Sequence, residues 1–263
     1  MSNPPPAVLV FAASDPTGGA GVQADLLTLA RLGCHPLSVV TGLTAQDTRG
    51  VHALWPVDAG RVARQAECVL ADIPVAAFKL GVLGTADVIA AVADILAAHP
   101  TVPVVLDPVL ASGRGDALAE RGALEAMRER LLPHATVLTP NSLEARRLAD
   151  AAEDASLAAC AARLVAAGCA HVLVTGTHEA SEDVVNSLYS AEGLLREDRW
   201  PRLPGEYHGS GCTLASAIAA ELALGCSVAN AVQRAQSFTW KALDAGFRPG
   251  GGQHLPQRFF TES

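Results

Sequence analysis

One cysteine in this chain stands where a thiol could do chemistry. Residues 207–213 read Y-H-G-S-G-C-T and open an alanine-rich helical pattern. Gly209 and Gly211 let the backbone turn tightly and leave N–H groups free. The start of a helix adds the positive end of its dipole, so the segment can serve as an anion hole. Cys212 sits at that start, where a thiol pKa is expected to be lowered. A thiolate there could take a proton from an alcohol as a phosphate arrives. The alternative is a glycine-rich turn with a packed cysteine.

Three further groups of residues carry donors in suggestive places. D-P-V (107–109) and T-P-N-S-L-E-A (139–145) put Asp107, Asn141 and Glu144 just past apolar strands. Few, hard oxygen ligands of this kind suit Mg²⁺ carried on nucleotide phosphates. Capping is the other reading: Asn141 or Ser142 as an N-cap, with Glu144 in the first turn. T-A-Q-D-T-R-G-V (44–51) is a polar cluster after an apolar strand, either a binding loop or a solvated turn. Its Gln46 offers an amide donor and acceptor for the edge of a pyrimidine or pyridine ring. S-D-P-T-G-G-A-G (14–21) contains G-A-G-V-Q-A, a match to the dinucleotide fingerprint. The loop is longer than that turn allows, and no acidic residue closes the second strand. A loop that closes over a small substrate fits better.

Elements of a particular kind must position these residues. The continuous apolar run 7–13 reads as a buried parallel strand, and the short, largely apolar segments 36–42, 76–80, 103–107, 136–139 and 171–175 read as further strands. Between them lie helical patterns at about 19–32, 58–72, 85–99, 118–132 and 156–167, with 212–224 and 228–245 at the end. Segments 184–190 and 195–203 read as edge strands or a hairpin. The rhythm predicts an α/β fold, an open and mostly parallel sheet with helices on both faces. Ligands of such sheets bind at the carboxyl ends of the strands, where the residues above fall.

Composition narrows the function. Of 263 residues half are hydrophobic and 17% charged, which excludes a disordered chain. The formal charge is −8, and Lys79 and Lys241 are the only lysines. No basic stripe exists for a nucleic-acid backbone, so nucleic acid is not an expected partner. No apolar run approaches the roughly 18 residues of a membrane span, so no membrane partner is expected either. Six scattered cysteines form no C-x-x-C pair and suit reduced thiols in the cytoplasm. The chain reads as one domain over 1–263, with 1–6 a disordered N-terminus, 249–263 a tail and Gly250 to Gly252 a hinge.

Taken in order, the motifs S-D-P-T-G-G-A-G-V-Q-A-D (14–25), A-Q-D-T-R-G-V (45–51), K-L-G-V-L (79–83), D-P-V, T-P-N-S-L-E-A and H-G-S-G-C-T resemble the ribokinase superfamily. More closely, they are similar to the hydroxymethylpyrimidine/phosphomethylpyrimidine kinases of thiamine biosynthesis. Most ribokinase relatives carry Asp where Cys212 stands, and G-[ST]-G-C-T is the pyrimidine-kinase variant. The resemblance implies a three-layer α/β/α ribokinase-like domain using ATP and Mg²⁺. The acceptor it implies is the hydroxymethyl group of 4-amino-5-hydroxymethyl-2-methylpyrimidine, with a second phosphorylation giving the diphosphate. It makes Cys212 the base and the Gly209, Ser210, Gly211 and Cys212 backbone the anion hole. It places Gln46 on the pyrimidine, with Ala13, Asp15, Ala20, Thr44, Val82 and Val109 around it. Asp107 and Glu144 would hold the metal; Asn141, Thr175 and Thr177 would meet ATP. Family members are often homodimers, which implies one here.

The chain departs from the family pattern in three places. K-G-G-H at the end of the fifth strand reads T-G-T-H (175–178) here, without the lysine. A lysine that often follows D-P-V is absent from A-S-G-R-G-D (111–116), where Arg114 is a bidentate phosphate partner that can substitute. Val82 stands where relatives often carry Met. A pyridoxal kinase of the pyrimidine-kinase type shares the G-x-G-C motif and a hydroxymethyl-bearing ring, and is the nearest alternative. A non-catalytic ligand sensor and a redox-active thiol enzyme are readings of other classes; retained Cys212, Asp107 and Glu144 oppose the first, and the lack of a nearby resolving cysteine opposes the second.

Overall fold

The computed structural model describes residues 4–110 and 122–261. Nine strands form one sheet, β1 (Ala7–Ser14), β2 (His35–Asp47), β3 (Gly50–Pro56), β4 (Val75–Leu80), β5 (Val104–Leu106), β6 (Val137–Leu138), β7 (Val172–Thr175), β8 (Asp183–Ser190) and β9 (Gly193–Pro201). Their order is β3-β2-β1-β4-β5-β6-β7-β8-β9. The centre, from β2 through β7, is parallel. Antiparallel hairpins border it on both sides, β2 with β3 and β8 with β9.

The apolar runs are continuous because the central strands are covered on both faces. Val8 through Phe11 are 0% exposed. The two-residue period of a strand sends Leu9 and Phe11 to one side, where they pack with Phe78, Ile89 and Leu131. It sends Val8, Val10 and Ala12 to the other, against Leu29, Leu214 and Ile218. The first side is covered by α2 (Ala59–Leu70), α3 (Ala86–Ala97), α4 (Ala123–Ala126), α5 (Ser142–Leu148) and α6 (Leu157–Ala166). The second is covered by α1 (Gly21–Arg31), α7 (Ser210–Ala223) and α8 (Val228–Asp244). Three layers result. Side-chain caps set several helix starts: Asp58 accepts from Arg61 N–H, Thr85 from Val88 N–H and Ser156 from Ala159 N–H.

Three expectations change. The helix expected over 118–132 is in its described part the single turn α4, which widens into a π turn over Met127–Leu131 and tightens to a 3₁₀ turn over Leu132–His134. Pro133 lacks the N–H and the room that a continued α-helix needs. The second strand does not stop at Gly42. It runs on to Asp47 and returns as β3, so the polar cluster 44–51 is the far end of a hairpin. Asp47 Oδ1 accepts the N–H groups of Arg49 and Gly50 at 2.7 and 3.1 Å, which closes the turn. Asp47 and Arg49 thus follow the turn reading. Finally, the stretch read as a tail packs inward. His208 N–H donates to the His254 carbonyl at 2.9 Å, and Gln253 N–H to the Thr48 carbonyl at 2.8 Å. Gly252 lies so close to the Thr48 carbonyl that no side chain fits there.

Candidate active site

A cleft of about 1270 Å³ runs across the carboxyl ends of the strands. The candidate base, anion-hole, ring-binding, nucleotide and metal residues all line it except Arg114, which lies outside the described residues. At its centre is the start of α7. Gly209 precedes the helix with φ of +82°, a left-handed conformation that glycine adopts at little cost. A side chain there would collide with the Gly19 carbonyl, so loop 14–21 sits directly against the cradle. The first N–H groups of a helix have no acceptor within it, and those of Ser210, Gly211 and Cys212 are the ones in question. Thr213 N–H and Oγ1 both return to the Gly209 carbonyl, at 3.0 and 2.8 Å, and fix the turn.

The electrostatics correct one expectation. The Cys212 thiol is pushed up to about 12, not lowered. Burial is the main cause; the carboxylates of Asp25 and Asp107 add to it. Lys79 and a hydrogen bond from Gly21 N–H act the other way without prevailing. The helix start is thus outweighed by desolvation and by two anions. Lys79 itself is 0% exposed and bonded to Asp25 at 2.9 Å, whose Oδ1 also accepts from Ser216 Oγ at 2.7 Å. Lys79 and Asp25 were legible only as parts of longer motifs; a lysine inside an apolar strand is the signal that could have singled out the pair.

Asp107 follows β5, and one of its oxygens, Oδ2, is buried without a hydrogen-bond partner. A Cβ on Gly211 would lie 3.7 Å from that oxygen, so the carboxylate borders the cradle. Burial pushes Asp107 up to about 6, with Lys79 opposing and Asp25 reinforcing. Glu144 goes up to about 8, by burial and then by Asp107, against the N–H groups of Asn141 and Leu110 and the charge of Arg147. Asp107 thus helps to raise Glu144, and its own Oδ2 has no partner, so the two buried carboxylates can take a cation. Their donors are those a hard divalent ion takes.

The capping reading holds here as well. Asn141 caps α5 through Oδ1, and Glu144 Oε2 returns to Asn141 N–H at 3.0 Å, a capping box. At the same end Thr175 N–H donates to the Pro140 carbonyl. Gly176 admits no side chain beside Val185, and its N–H donates to Asn186 Oδ1 at 3.1 Å. Arg202, unremarked in the sequence, gathers the loop after β7 by donating to the carbonyls of Thr177, Ser181 and Glu179.

The other end of the cleft is a network. Gln46 reaches His208 at 2.7 Å, and His208 Nε2 reaches Asp15 Oδ2 at 2.9 Å. Burial would raise Asp15, but His208 and the N–H groups of Ala20 and Thr17 hold it below the usual carboxylate range. Thr44 Oγ1 donates to the Ser14 carbonyl at 2.9 Å, and Gln23 bonds Ser14 and Asp15. Ala13, Ala20, Val82 and Val109 supply apolar wall. Sequence reading missed His208, although it stands one residue before Gly209. The hairpin is what brings Gln46 to it.

Comparison with known proteins gives a consistent result. The family model described as phosphomethylpyrimidine kinase matches residues 15–257. A hydroxymethylpyrimidine/phosphomethylpyrimidine kinase of Streptomyces coelicolor is 44% identical, over 94% of this chain and 92% of that protein. The structure of Staphylococcus aureus pyridoxal kinase in complex with AMP-PCP and pyridoxal superposes with a TM-score of 0.87 at 29% identity, covering 97% of this chain and 94% of that one. Phosphomethylpyrimidine kinase from Clostridium difficile gives a TM-score of 0.79 at 31% identity, covering 90% and 99%.

Proposed function

The chain belongs to the phosphomethylpyrimidine kinase family, and from that premise we propose how its cleft transfers the γ-phosphoryl group of ATP to a pyrimidine alcohol. The acceptor is 4-amino-5-hydroxymethyl-2-methylpyrimidine, and its monophosphate in a second step, in thiamine biosynthesis. One observation carries the assignment of roles. The cradle of α7, the thiol of Cys212, the paired carboxylates and the Gln46–His208–Asp15 network all open into the same cleft. The resemblance adds a homodimer, and six free thiols suit a cytoplasmic setting.

In this reading Gln46 and His208 hold the ring edge, and the apolar wall of Ala20, Val82 and Val109 flanks it. The hydroxymethyl group then points at Cys212. The cradle N–H groups receive the charge that builds on the transferred phosphoryl oxygens, which is where such donors act most strongly. The thiolate form of Cys212 takes the hydroxyl proton as the new O–P bond forms and the bond from the γ-phosphorus to the β-phosphate oxygen breaks, releasing ADP. Asp107 and Glu144 would hold Mg²⁺, which when bound neutralises phosphate charge. Asn141, Thr175 and Thr177 are assigned to the nucleotide end.

The direct test is mass analysis of the products from ATP, Mg²⁺ and the pyrimidine alcohol. Mono- and diphosphorylated pyrimidine are the expected species; ATP left intact would refute the reading. Pyridoxine run alongside addresses the second reading, which the structural likeness to a pyridoxal kinase favours. Turnover of pyridoxine above that of the pyrimidine would make it the main one.

Two outcomes follow at this site. Gln46→Ala should raise the KM for the pyrimidine about tenfold, the worth of a good hydrogen bond, and leave kcat near its original value. Steady-state kinetics check it, and an unchanged KM places Gln46 off the ring. The carboxylates give a pH effect. Folding raises Asp107 from 3.8 to about 6 and Glu144 from 4.5 to about 8. The folded chain therefore holds protons that the unfolded chain has released. Without metal, their contribution to stability is full below pH 3.8 and is lost as pH rises through about 6 for Asp107 and about 8 for Glu144. Mg²⁺ should offset that loss, so the gain in Tm on adding it should grow from pH 5 to pH 8. An equal gain at both ends of the range would remove these two residues from the metal.

A further inference from the structure

The last stretch of the chain contributes a buried cation that none of the motifs contains. Arg258 is 4% exposed. Its Nε donates to Thr213 Oγ1 at 3.1 Å, its Nη1 to the Gly18 carbonyl at 3.4 Å and its Nη2 to the Gly19 carbonyl at 2.6 Å. All three acceptors are neutral, and no carboxylate forms an ion pair with it among the described residues. Burial opposes its charge, while Cys212, Asp25 and Asp15 favour it. A cation withdrawn from water without a counter-ion is costly, and here the anions that answer it belong to the site itself.

The three acceptors lie on the two walls that must meet for reaction. Thr213 follows Cys212, and its hydroxyl is bonded on to Gly209. Gly18 and Gly19 belong to loop 14–21, and the Gly19 carbonyl is the atom pressed against Gly209. The planar guanidinium spans both walls at once, a geometry that an ammonium does not reproduce. The segment that delivers it is seated separately. Gln257 N–H donates to the Ala242 carbonyl at 2.8 Å, and Phe247 and Leu255 exchange backbone bonds. Residue 258 also lies one position beyond the stretch that matches the family, so that likeness does not carry the role.

We propose that Arg258 is a positioning residue: it locks loop 14–21 onto the anion cradle and sets an unpaired positive charge behind that cradle. It does not line the cleft and acts through Gly19 and Thr213. The proposal rests on the kinase reading above.

The test compares the full chain with Arg258→Ala and Arg258→Lys. Misplacing a reacting group by about 1 Å costs about a hundredfold. Arg258→Ala should accordingly lose about 10- to 100-fold in kcat, more than it gains in KM for the alcohol. Arg258→Lys keeps the charge without the fork and should fall between. Guanidinium chloride at non-denaturing concentration should restore part of the turnover of Arg258→Ala, and NaCl at equal ionic strength should not. Circular dichroism and Tm report folding in parallel. Unchanged kcat and KM in Arg258→Ala overturn the proposal. So does a loss that only follows the folded fraction, with no recovery by guanidinium or by lysine. An original chain that forms no phosphorylated product overturns the kinase reading and this proposal with it; normal turnover beside unaltered variants overturns this proposal alone.

Discussion

Cys212→Ala should transfer phosphate about 10²- to 10⁴-fold more slowly and bind the pyrimidine alcohol with a KM close to the original. That is the range for loss of a general base, and the cradle N–H groups belong to the backbone, which the substitution leaves in place. The electrostatics sharpen the expectation. With burial and two carboxylates holding the thiol up to about 12, little thiolate exists near neutral pH in the unliganded chain. The original enzyme should therefore gain rate as pH rises through neutrality. Cys212→Asp places a group of lower intrinsic pKa there, and its profile should level at lower pH. Rate–pH profiles of the three proteins check both points. Near-normal turnover by Cys212→Ala would remove the thiol from the reaction.

Lys79→Met should be the most destabilising of the substitutions considered. Lys79 and Asp25 are both fully buried and bonded to each other. Removing the lysine leaves Asp25 as an uncompensated anion within reach of Asp107, a loss of about 3–5 kcal/mol. In a chain of this size each kcal/mol is worth about 2–4 °C, so Tm should fall by roughly 6–20 °C. The pair can be neutralised together. Lys79→Met with Asp25→Asn should recover most of the loss, since no buried charge is then left alone. Thermal melts of the single and double variants decide it; a single variant as stable as the original would mean that Asp25 is protonated or solvated.

The parts of the molecule that were legible from sequence share a cause. Val8 through Phe11 are apolar without interruption because both faces of β1 are covered, and that pattern marks the sheet centre and its carboxyl-end loops. Asp107 and Asn141 are legible because they stand at the ends of such runs, whereas Thr175 enters only through the family resemblance. Gly209 and Cys212 were found because a glycine-flanked helix start is a local signal. The β2–β3 hairpin was hidden. Its residues are half exposed and mix polar with apolar, and its pairing partner is set by a turn that Asp47 closes. Arg258 was hidden because its partners Gly18 and Gly19 lie about 240 positions away, and no local pattern reports them. The raised thiol pKa is invisible locally because it comes from burial and from Asp25 and Asp107, which only the fold brings to the helix start.

The outer margins of the sheet are unequally defended. Both edge strands end in proline, but β9 also carries Arg196, Glu197, Asp198 and Arg199, charges that discourage a stray strand from joining it. β3 has only His52 as an ionisable side chain, and exposes Trp55 on the same hairpin as Leu43. The β3 margin is therefore the side on which a foreign strand would add most readily, and Trp55→Lys should lower light scattering of concentrated protein.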